Sequence, residues 1–173
     1  MEIKNSTLDD IDQIFRLYDL ASDHQSTKPN VVVWPKFDHN MVITEIEEEN
    51  QWKIIIDDKI ACIWATAFKD EQIWEEKNVD PSVYLHRIAV NPAFRGRKFV
   101  KVISEWAQAF ALEQGLKYVR MDTIGPNSDL IEYYKKSGFK YLGEVQLNNT
   151  FGLPAHYESG KACLFEIALD DMD

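Results

Sequence analysis

The sequence lacks several features that would assign it quickly to a class of protein. No apolar run approaches 18 residues, so no membrane-spanning helix is expected. The opening residues, MEIKNSTLDD, lack the basic-then-apolar pattern of a secretory signal, and we predict a cytoplasmic protein. The only cysteines, Cys62 and Cys163, lie in apolar strand-like runs. We therefore expect buried, reduced thiols.

Motifs for several common kinds of site are also missing. Neither GxGxxG nor GxxxxGK[ST] occurs, which removes the main support for a dinucleotide or nucleoside-triphosphate site. No GxSxG turn indicates a serine hydrolase. The four histidines, His24, His39, His86 and His156, are far apart and show no metal-ligand spacing, so we predict no metal.

Length and composition are typical of one globular domain, which we predict over residues 1–173. Hydrophobic residues make up 45% and charged residues 28%, and no Gly/Ser linker divides the chain. The net charge of −10 argues against nucleic acid as a partner, because phosphate binding needs a basic face. An acidic surface would instead steer a cationic amine towards the protein.

Acidic residues are absent from one window, residues 81–104, although the chain carries 29 of them. The same window contains five cations: Arg87, Arg95, Arg97, Lys98 and Lys101. It reads as an apolar strand, a turn at Asn91-Pro92, and a basic loop that enters an amphipathic helix. Because helix N-termini offer unpaired amides and partial positive charge, the window predicts an anionic, phosphate-bearing ligand. A solvated basic helix face is the alternative.

The hydrophobic periodicity predicts the element order β-α-α-β-β-β-α-β-α-β-β. The first helix follows Thr7, a second covers 38–49, and residues 24–36 are expected to form a loop. Asp57-Asp58 is predicted to join two strands as a hairpin turn. Further strands are expected at 83–90, 118–123, 139–147 and 162–169, with helices ending at Gly115 and Gly138. Residues 69–82 are expected to form a charged loop that includes one helical turn.

Two segments resemble the GNAT superfamily of acetyl-CoA-dependent N-acetyltransferases. The first is Leu85–Pro92 followed by Arg95-Gly96-Arg97, and the second runs from Asn127 through Tyr133-Tyr134 to Gly138-Phe139. With the element order, the resemblance covers nearly the whole chain. It implies an α/β fold of mixed α+β type, in which a mostly antiparallel sheet of about seven strands has helices on both faces.

The resemblance also implies a coenzyme A site. In the family, a loop patterned [RQ]-x-x-G-x-[GA] binds the pyrophosphate through its backbone amides. Arg95 matches the first position, but Lys98 and Val100 replace the glycines, which normally let a backbone approach a ligand closely. The implied cofactor residues are Ile88, Ala89, Val90, Arg95, Gly96, Arg97, Lys98, Phe99, Val100, Asn127 and Tyr134.

Catalytic roles are implied for two side chains and one amide. Tyr134 matches the family tyrosine that lies beside the coenzyme sulfur and acts as general acid; a tyrosine packed on the core is the alternative. The Ile88 amide is the candidate oxyanion donor. His86 is the candidate base, because strand alternation places it on one face with Ile88 and its ordinary pKa suits proton removal. A structural histidine is the alternative there.

The acceptor is predicted to be a primary amine of a small molecule or peptide. By analogy with the family, its pocket would be walled by the first helix pair with its connector, by the loop 69–82 and by the loop 148–160. The connector contributes Trp34 and Phe37, and the last loop contributes Phe151, His156 and Tyr157. A catalytically silent acyl-CoA-binding module is the alternative function, motivated by Lys98 and Val100. A scaffold that has lost the coenzyme site is a third. Whether the protein is a homodimer is left open.

Overall fold

The elements are those of a computed structural model, which describes residues 1–169. The helices are α1 (Ile11–Ser26), α2 (His39–Glu47), α3 (Glu71–Trp74), α4 (Phe99–Glu113) and α5 (Ser128–Lys136). The strands are β1 (Glu2–Asn5), β2 (Gln51–Ile56), β3 (Lys59–Ala67), β4 (Ser82–Val90), β5 (Tyr118–Ile124), β6 (Lys140–Gln146) and β7 (Lys161–Ala168). Short 3-10 turns occupy Leu8–Asp10, Glu75–Val79, Pro92–Phe94 and Ala155–Ser159.

The seven strands form one mixed sheet in the order β1-β2-β3-β4-β5-β7-β6. Strands β4 and β5 pair in parallel, as expected for strands joined through a helix. The pairs β1–β2, β2–β3, β5–β7 and β6–β7 are antiparallel. The predicted fold class and element order are confirmed. The charged loop contains the helical turn α3, as predicted, and also the 3-10 turn Glu75–Val79.

The hairpin between β2 and β3 turns without glycine. Asp57 and Asp58 both adopt left-handed backbone, with φ of 51° and 59°. A turn whose two central residues are left-handed matches the right-handed twist of the flanking strands, and Asp tolerates this conformation better than most residues. The predicted hairpin is therefore confirmed.

Helix ends follow local side-chain chemistry. The Asp38 carboxylate accepts the Asn40 amide at 2.7 Å and begins α2. Gly115 and Gly138 follow α4 and α5 with φ of 70° and 104°, a region that favours glycine. One boundary was wrong: residues 24–26 were expected in a loop but extend α1, because Gly or Pro, which would end the helix, first occurs at Pro29.

The residues group into two compact units. Unit 1 comprises Met1–Thr66, His86–Arg97 and Pro154–His156. Unit 2 comprises Ala67–Leu85, Lys98–Leu153 and, within the described chain, residues 157–169. That residues 1–173 form a single domain stays a prediction.

Each unit has an apolar cluster of its own. In unit 1, one face of α1 packs with α2, the connector between them and two strands; the buried members are Ile14, Leu17, Tyr18, Phe37, Val42, Ile46, Ile63 and Ala89. In unit 2, α3 packs with β4, β7 and the loop before β7; the buried members are Ile73, Trp74, Tyr84, Leu147, Tyr157, Ala162 and Leu164. Burying each large apolar side chain contributes about 1.5–3 kcal/mol to folding.

The two cysteines are free and buried, as predicted. Burial raises the pKa of Cys62 to about 12, so this thiol is not a nucleophile at neutral pH. Among residues 1–169, no helix has both the length and the apolar composition needed to cross a bilayer.

Candidate active site

The basic loop, defined here as residues 95–98, connects the turn Pro92–Phe94 to α4. All four of its residues are exposed. Within the part of the chain that the structure describes, Arg95, Arg97 and Lys98 form no ion pair, and the Arg97 guanidinium lies 5.5 Å from the centre of the Phe94 ring. The loop therefore presents cations that no carboxylate of the described residues neutralises.

Helix α4 begins without a capping side chain. Its N-cap is Lys98, whose side chain makes no capping hydrogen bond, and the first residues with helical amides are Phe99 and Val100. A 15-residue helix adds the partial charge of its dipole at that end. This N-terminus can therefore accept an anion through backbone amides and through the adjacent cations.

The two replaced glycines of the loop motif have different consequences. Lys98 adopts left-handed backbone (φ 55°, ψ 42°), which glycine accepts freely and other residues accept at a cost of about 1 kcal/mol. Gly96, with φ of 84°, is left-handed too. Val100 is only 5% exposed, so its side chain packs inward and leaves its amide available. Neither replacement removes a backbone donor from the loop.

Strand β4 is irregular where the candidate base lies. Arg87 has a left-handed backbone with φ of 49° inside the strand, which interrupts the regular pleat. The shared face of His86 and Ile88 was predicted from strict alternation, and alternation does not carry across such a residue. The argument from strand alternation is therefore lost, and the roles of His86 and Ile88 stay predictions from the family resemblance.

Arg87 itself joins a buried charge network in unit 1. Its guanidinium donates to both carboxylate oxygens of Glu45 and to the Tyr18 hydroxyl, the latter at 3.3 Å. The guanidinium carbon lies 5.4 Å from the Phe37 ring centre, within cation–π range. Phe37 also meets Trp34 at 5.7 Å and His156 at 5.9 Å. Three of the five predicted pocket aromatics are thus brought together in this unit.

The electrostatics of His86 do not favour it as a strong base. Burial, and then the charges of Arg87 and His156, lower the pKa of His86 to about 3. Its neutral imidazole can hydrogen-bond at neutral pH. A group with that pKa accepts a proton from an alkylammonium, whose pKa is near 10, only at a large cost in free energy.

Tyr134 lies on α5 in unit 2 and is 9% exposed. Its ring makes an edge contact with Phe165 at 5.0 Å, and its hydroxyl forms no hydrogen bond within residues 1–169. Burial, with the nearby Tyr133 and Asp122, raises the pKa of Tyr134, so the hydroxyl keeps its proton at neutral pH. A buried tyrosine whose hydroxyl is free to donate suits the predicted general acid.

Asn127 begins α5 by accepting the Leu130 amide at 3.2 Å. Its N-cap role is therefore observed, and its predicted contact with the coenzyme stays a prediction. The predicted cofactor residues fall in both units: Ile88, Ala89, Val90, Arg95, Gly96 and Arg97 belong to unit 1, and Lys98, Phe99, Val100, Asn127 and Tyr134 to unit 2.

A carboxyl pair, defined here as Asp70 and Asp122, was missed by the sequence reasoning. Asp70 is the N-cap residue of α3 and Asp122 lies in β5, and one oxygen of each carboxyl lies within 4.8 Å of the other. The Tyr157 hydroxyl donates to Asp122 Oδ2 at 2.9 Å. The available signal was an acid, Asp122, two residues after Arg120 in the strand YVRMDTI.

Burial affects both members of the carboxyl pair. Burial, followed by the Asp122 charge, raises the pKa of Asp70 to about 8. Burial raises the pKa of Asp122 to about 6, and the Tyr157 hydrogen bond opposes this shift. Perturbed carboxyl groups of this kind are frequent at functional sites.

A second network, also missed, holds the segment around Asp70. Arg120 is 1% exposed and donates to Asp80 and to Glu166, each at 2.8 Å, and to the Tyr84 hydroxyl at 3.3 Å. The Tyr84 hydroxyl donates in turn to Asn78 Oδ1, 3.3 Å away. That oxygen also accepts the Asp70 amide at 2.6 Å. Arg120 thereby helps to fix the backbone that carries Asp70.

Loops 69–82 and 148–160 are joined within unit 2. Gln72 Nε2 donates to the carbonyl oxygens of Asn149 and Phe151 at 3.0 and 2.9 Å. The Phe151 side chain is 89% exposed and packs in no cluster of the described residues, whereas Tyr157 is buried. Of the two remaining predicted pocket aromatics, Tyr157 therefore lies beside the carboxyl pair and Phe151 faces solvent.

Comparison with known proteins identifies the family. The Bacillus subtilis (strain 168) protein described as the uncharacterized N-acetyltransferase YesJ is 26% identical over 74 residues, which span 43% of this chain and 41% of that protein. A GNAT-family acetyltransferase structure from Listeria monocytogenes 4b F2365 has a TM-score of 0.77 at 21% identity, over 97% of this chain and 94% of that one. The Salmonella typhimurium structure of yncA, solved with its cofactor acetyl-CoA, has a TM-score of 0.68 at 14% identity, over 98% and 94%.

These two structures share the fold. The family match is decisive for identity, because residues 10–139 match the family described as the acetyltransferase (GNAT) family. That range covers the helices α1 to α5 and the basic loop, and so includes the segments that carried the resemblance. The chain therefore belongs to the acetyltransferase (GNAT) family.

Proposed function

We propose that the protein transfers an acetyl group from acetyl-CoA to a primary amine of a small molecule or peptide. The observation that carries the proposal is the uncapped N-terminus of α4 behind the basic loop, in a chain of this family. The structural neighbour that contains acetyl-CoA supports the choice of donor. A cytoplasmic location stays a prediction.

Coenzyme binding would use the backbone of the loop and of the neighbouring strand. The amides from Arg95 to Val100 would donate to the pyrophosphate, and Lys98 would add a charge-assisted contact. Ile88, Ala89 and Val90 would hold the pantetheine arm, and Asn127 would contact the coenzyme from the start of α5. The Ile88 amide would stabilise the oxyanion of the tetrahedral intermediate.

The chemistry would be direct attack of the amine on the thioester carbonyl. The nitrogen forms a bond to the acyl carbon, the carbon–sulfur bond breaks, and the sulfur leaves as a thiolate that needs a proton. Tyr134, protonated at neutral pH and with a free hydroxyl, would supply a proton or hydrogen bond to that sulfur. His86 would orient groups as a neutral donor or acceptor.

Binding and turnover are tested separately. Saturating acetyl-CoA at about 100 times its dissociation constant should raise the free energy of unfolding by about 2.7 kcal/mol, seen as a higher melting temperature. Thiol release with a panel of amines reports turnover. A thermal shift without release on any amine would favour the silent acyl-CoA-binding module. No shift with any acyl-CoA would contradict the proposal.

Tyr134→Phe tests the general acid. We expect kcat to fall by about 10²–10⁴-fold, because a positioned proton donor contributes that much, while acetyl-CoA still raises the melting temperature of the variant. Tyr133→Phe is the matched control, since Tyr133 is the next tyrosine along the chain and its side chain is 39% exposed. Equal kcat in the two variants would remove Tyr134 from the mechanism.

A further inference from the structure

Arg87 has a left-handed backbone in the middle of β4. Of the non-glycine residues with positive φ in the range 1–169, it is the one that lies inside a strand, with φ of 49°. Such a residue bears a steric cost at its Cβ, and it persists only where its surroundings hold it. The peptide between Arg87 and Ile88 is therefore turned out of the regular pleat. Ile88 is the residue whose amide is the proposed oxyanion donor.

The Arg87 side chain is fixed by contacts from α1, from α2 and from the connector between them, all in unit 1. Its terminal nitrogen Nη2 donates to both carboxylate oxygens of Glu45 on α2. Its Nε donates to the Tyr18 hydroxyl on α1 at 3.3 Å. The guanidinium carbon lies 5.4 Å from the centre of the Phe37 ring in the connector. The surroundings that hold the strained backbone are therefore these side-chain contacts.

Glu45 makes the strongest of these contacts. An ion pair that uses both carboxylate oxygens fixes the relative orientation of the two groups. The side chains of Arg87 and Glu45 are only 12% and 17% exposed, so solvent screens their attraction little. A buried ion pair often adds little net stability, because desolvation of both charges offsets the attraction. Fixing one backbone conformation is a role that such a pair can still have.

We propose that Glu45 is a positioning residue, which holds Arg87 in its left-handed conformation and so directs the Ile88 amide at the thioester oxygen. This inference rests on the proposed function, which assigns the oxyanion to that amide. Glu45 acts through Arg87 and not by touching the substrate. Its effect belongs to the transition state, because an oxyanion donor interacts more strongly with the developing charge than with the bound thioester.

Glu45→Gln tests the ion pair. The amide keeps the size of the side chain but removes its charge and one of its acceptor oxygens. Losing an oxyanion donor costs about 10²–10³ in kcat, so a misdirected donor should lower kcat by about 10–100-fold, with less than about a threefold change in KM for acetyl-CoA. Glu47→Gln, at an exposed acid on the same helix, is the matched control and should behave as the wild type. A higher KM with unchanged kcat would contradict the proposal.

Two substitutions of Arg87 separate backbone conformation from the ion pair. Arg87→Ala and Arg87→Gly both leave Glu45 without its partner, but glycine adopts the left-handed region freely and alanine does not. We expect kcat to be about tenfold higher in Arg87→Gly than in Arg87→Ala. Adding Glu45→Gln to Arg87→Gly should change kcat by less than about twofold, because the ion pair is already absent. An ion pair that serves stability alone gives glycine no advantage, so equal kcat in the two Arg87 variants would overturn the proposal.

Tyr18→Phe is the milder variant, for use if Glu45→Gln folds poorly. It removes one hydrogen bond to Arg87 and leaves the ion pair, so kcat should fall by about two- to tenfold, and an unchanged kcat would contradict the proposal.

A crystal structure of Glu45→Gln tests the same inference without any activity measurement. Residue 87 should leave the left-handed region in this variant, and a φ that stays near 49° would overturn the proposal. If the wild type neither binds acetyl-CoA nor releases thiol with any amine, the proposed function fails. The conformation of residue 87 in Glu45→Gln still decides, in that case, whether Glu45 holds Arg87.

Discussion

The basic loop carries positive charge at the exposed surface, whereas the carboxyl pair consists of two half-buried acids. The loop, residues 95–98, is exposed and continuous in sequence, forms no ion pair with residues 1–169, and precedes a helix N-terminus. The carboxyl pair is half-buried and joins residues 52 positions apart, 70 and 122. Exposed cations keep their ordinary chemistry and act mainly by attraction, whereas burial changes the protonation of the acids. The first setting suits the binding of an anion, and the second changes which acids are charged at neutral pH.

Arg120→Met should have the largest effect on stability. It removes the hydrogen bonds that support the segment carrying Asp70, and it leaves the basic loop intact. It leaves the carboxylate of Glu166, 15% exposed, without its guanidinium partner. We expect the free energy of unfolding to fall by about 3–5 kcal/mol, because an uncompensated buried charge remains. Urea denaturation measures the change.

Lys135→Met is the control for Arg120→Met, because Lys135 forms an exposed ion pair with Glu132. Its effect should stay within about 0.5 kcal/mol. Similar losses in the two variants would mean that the Arg120 network is not a stabilising part of unit 2.

Asp70→Asn tests the raised pKa of Asp70 through the pH dependence of stability. The folded protein raises the pKa of Asp70 from 3.8 to about 8, so between these values it keeps a proton that the unfolded chain has lost. Wild-type stability should therefore fall as pH rises through this window. The variant avoids that loss and should be more stable than the wild type by about 1–3 kcal/mol at pH 8 and no more stable at pH 4.

Thermal unfolding of both proteins at several pH values checks the Asp70 prediction. Asp129→Asn, at an exposed acid on α5, should track the wild type at every pH. A stability difference that does not change between pH 4 and pH 8 would contradict a raised pKa at Asp70.

Lys98→Gly should change the stability least, and it alters only the basic loop. Glycine accepts the left-handed backbone at this position without the cost that lysine bears, so the variant should gain up to about 1 kcal/mol of stability. Lys101→Gly, in the regular part of α4, should instead lose about 1 kcal/mol. Loss of stability in both variants would show that the Lys98 side chain stabilises the loop by more than its backbone strain.

Much of the fold was predictable because its signals are local. The Phe99, Val102, Ile103 and Trp106 stripe predicted α4, and Asp57-Asp58 predicted the hairpin. The extension of α1 to Ser26 was not predicted, since a polar stretch does not by itself end a helix. The basic loop and Tyr134 were also identifiable, because each lies in a short contiguous motif.

The carboxyl pair and the Arg120 network were not predictable. Asp70 is one of several acids in a charged loop, and Asp122 is a single acid in a strand. Their approach depends on how β5 and the segment before α3 come together, which no local pattern encodes. The lowered pKa of His86 likewise follows from burial and from Arg87 and His156, the latter 70 positions away.

Local sequence patterns are enough to predict the order of the elements, the family resemblance and the positive charge at the start of α4, because periodicity, capping and charge are properties of neighbouring residues. Folding alone settles which acids have raised pKa values, which histidine loses its basicity and which tyrosine hydroxyl forms no hydrogen bond within the described residues. Those properties depend on burial and on charges brought near by folding, and both act through space and not along the chain.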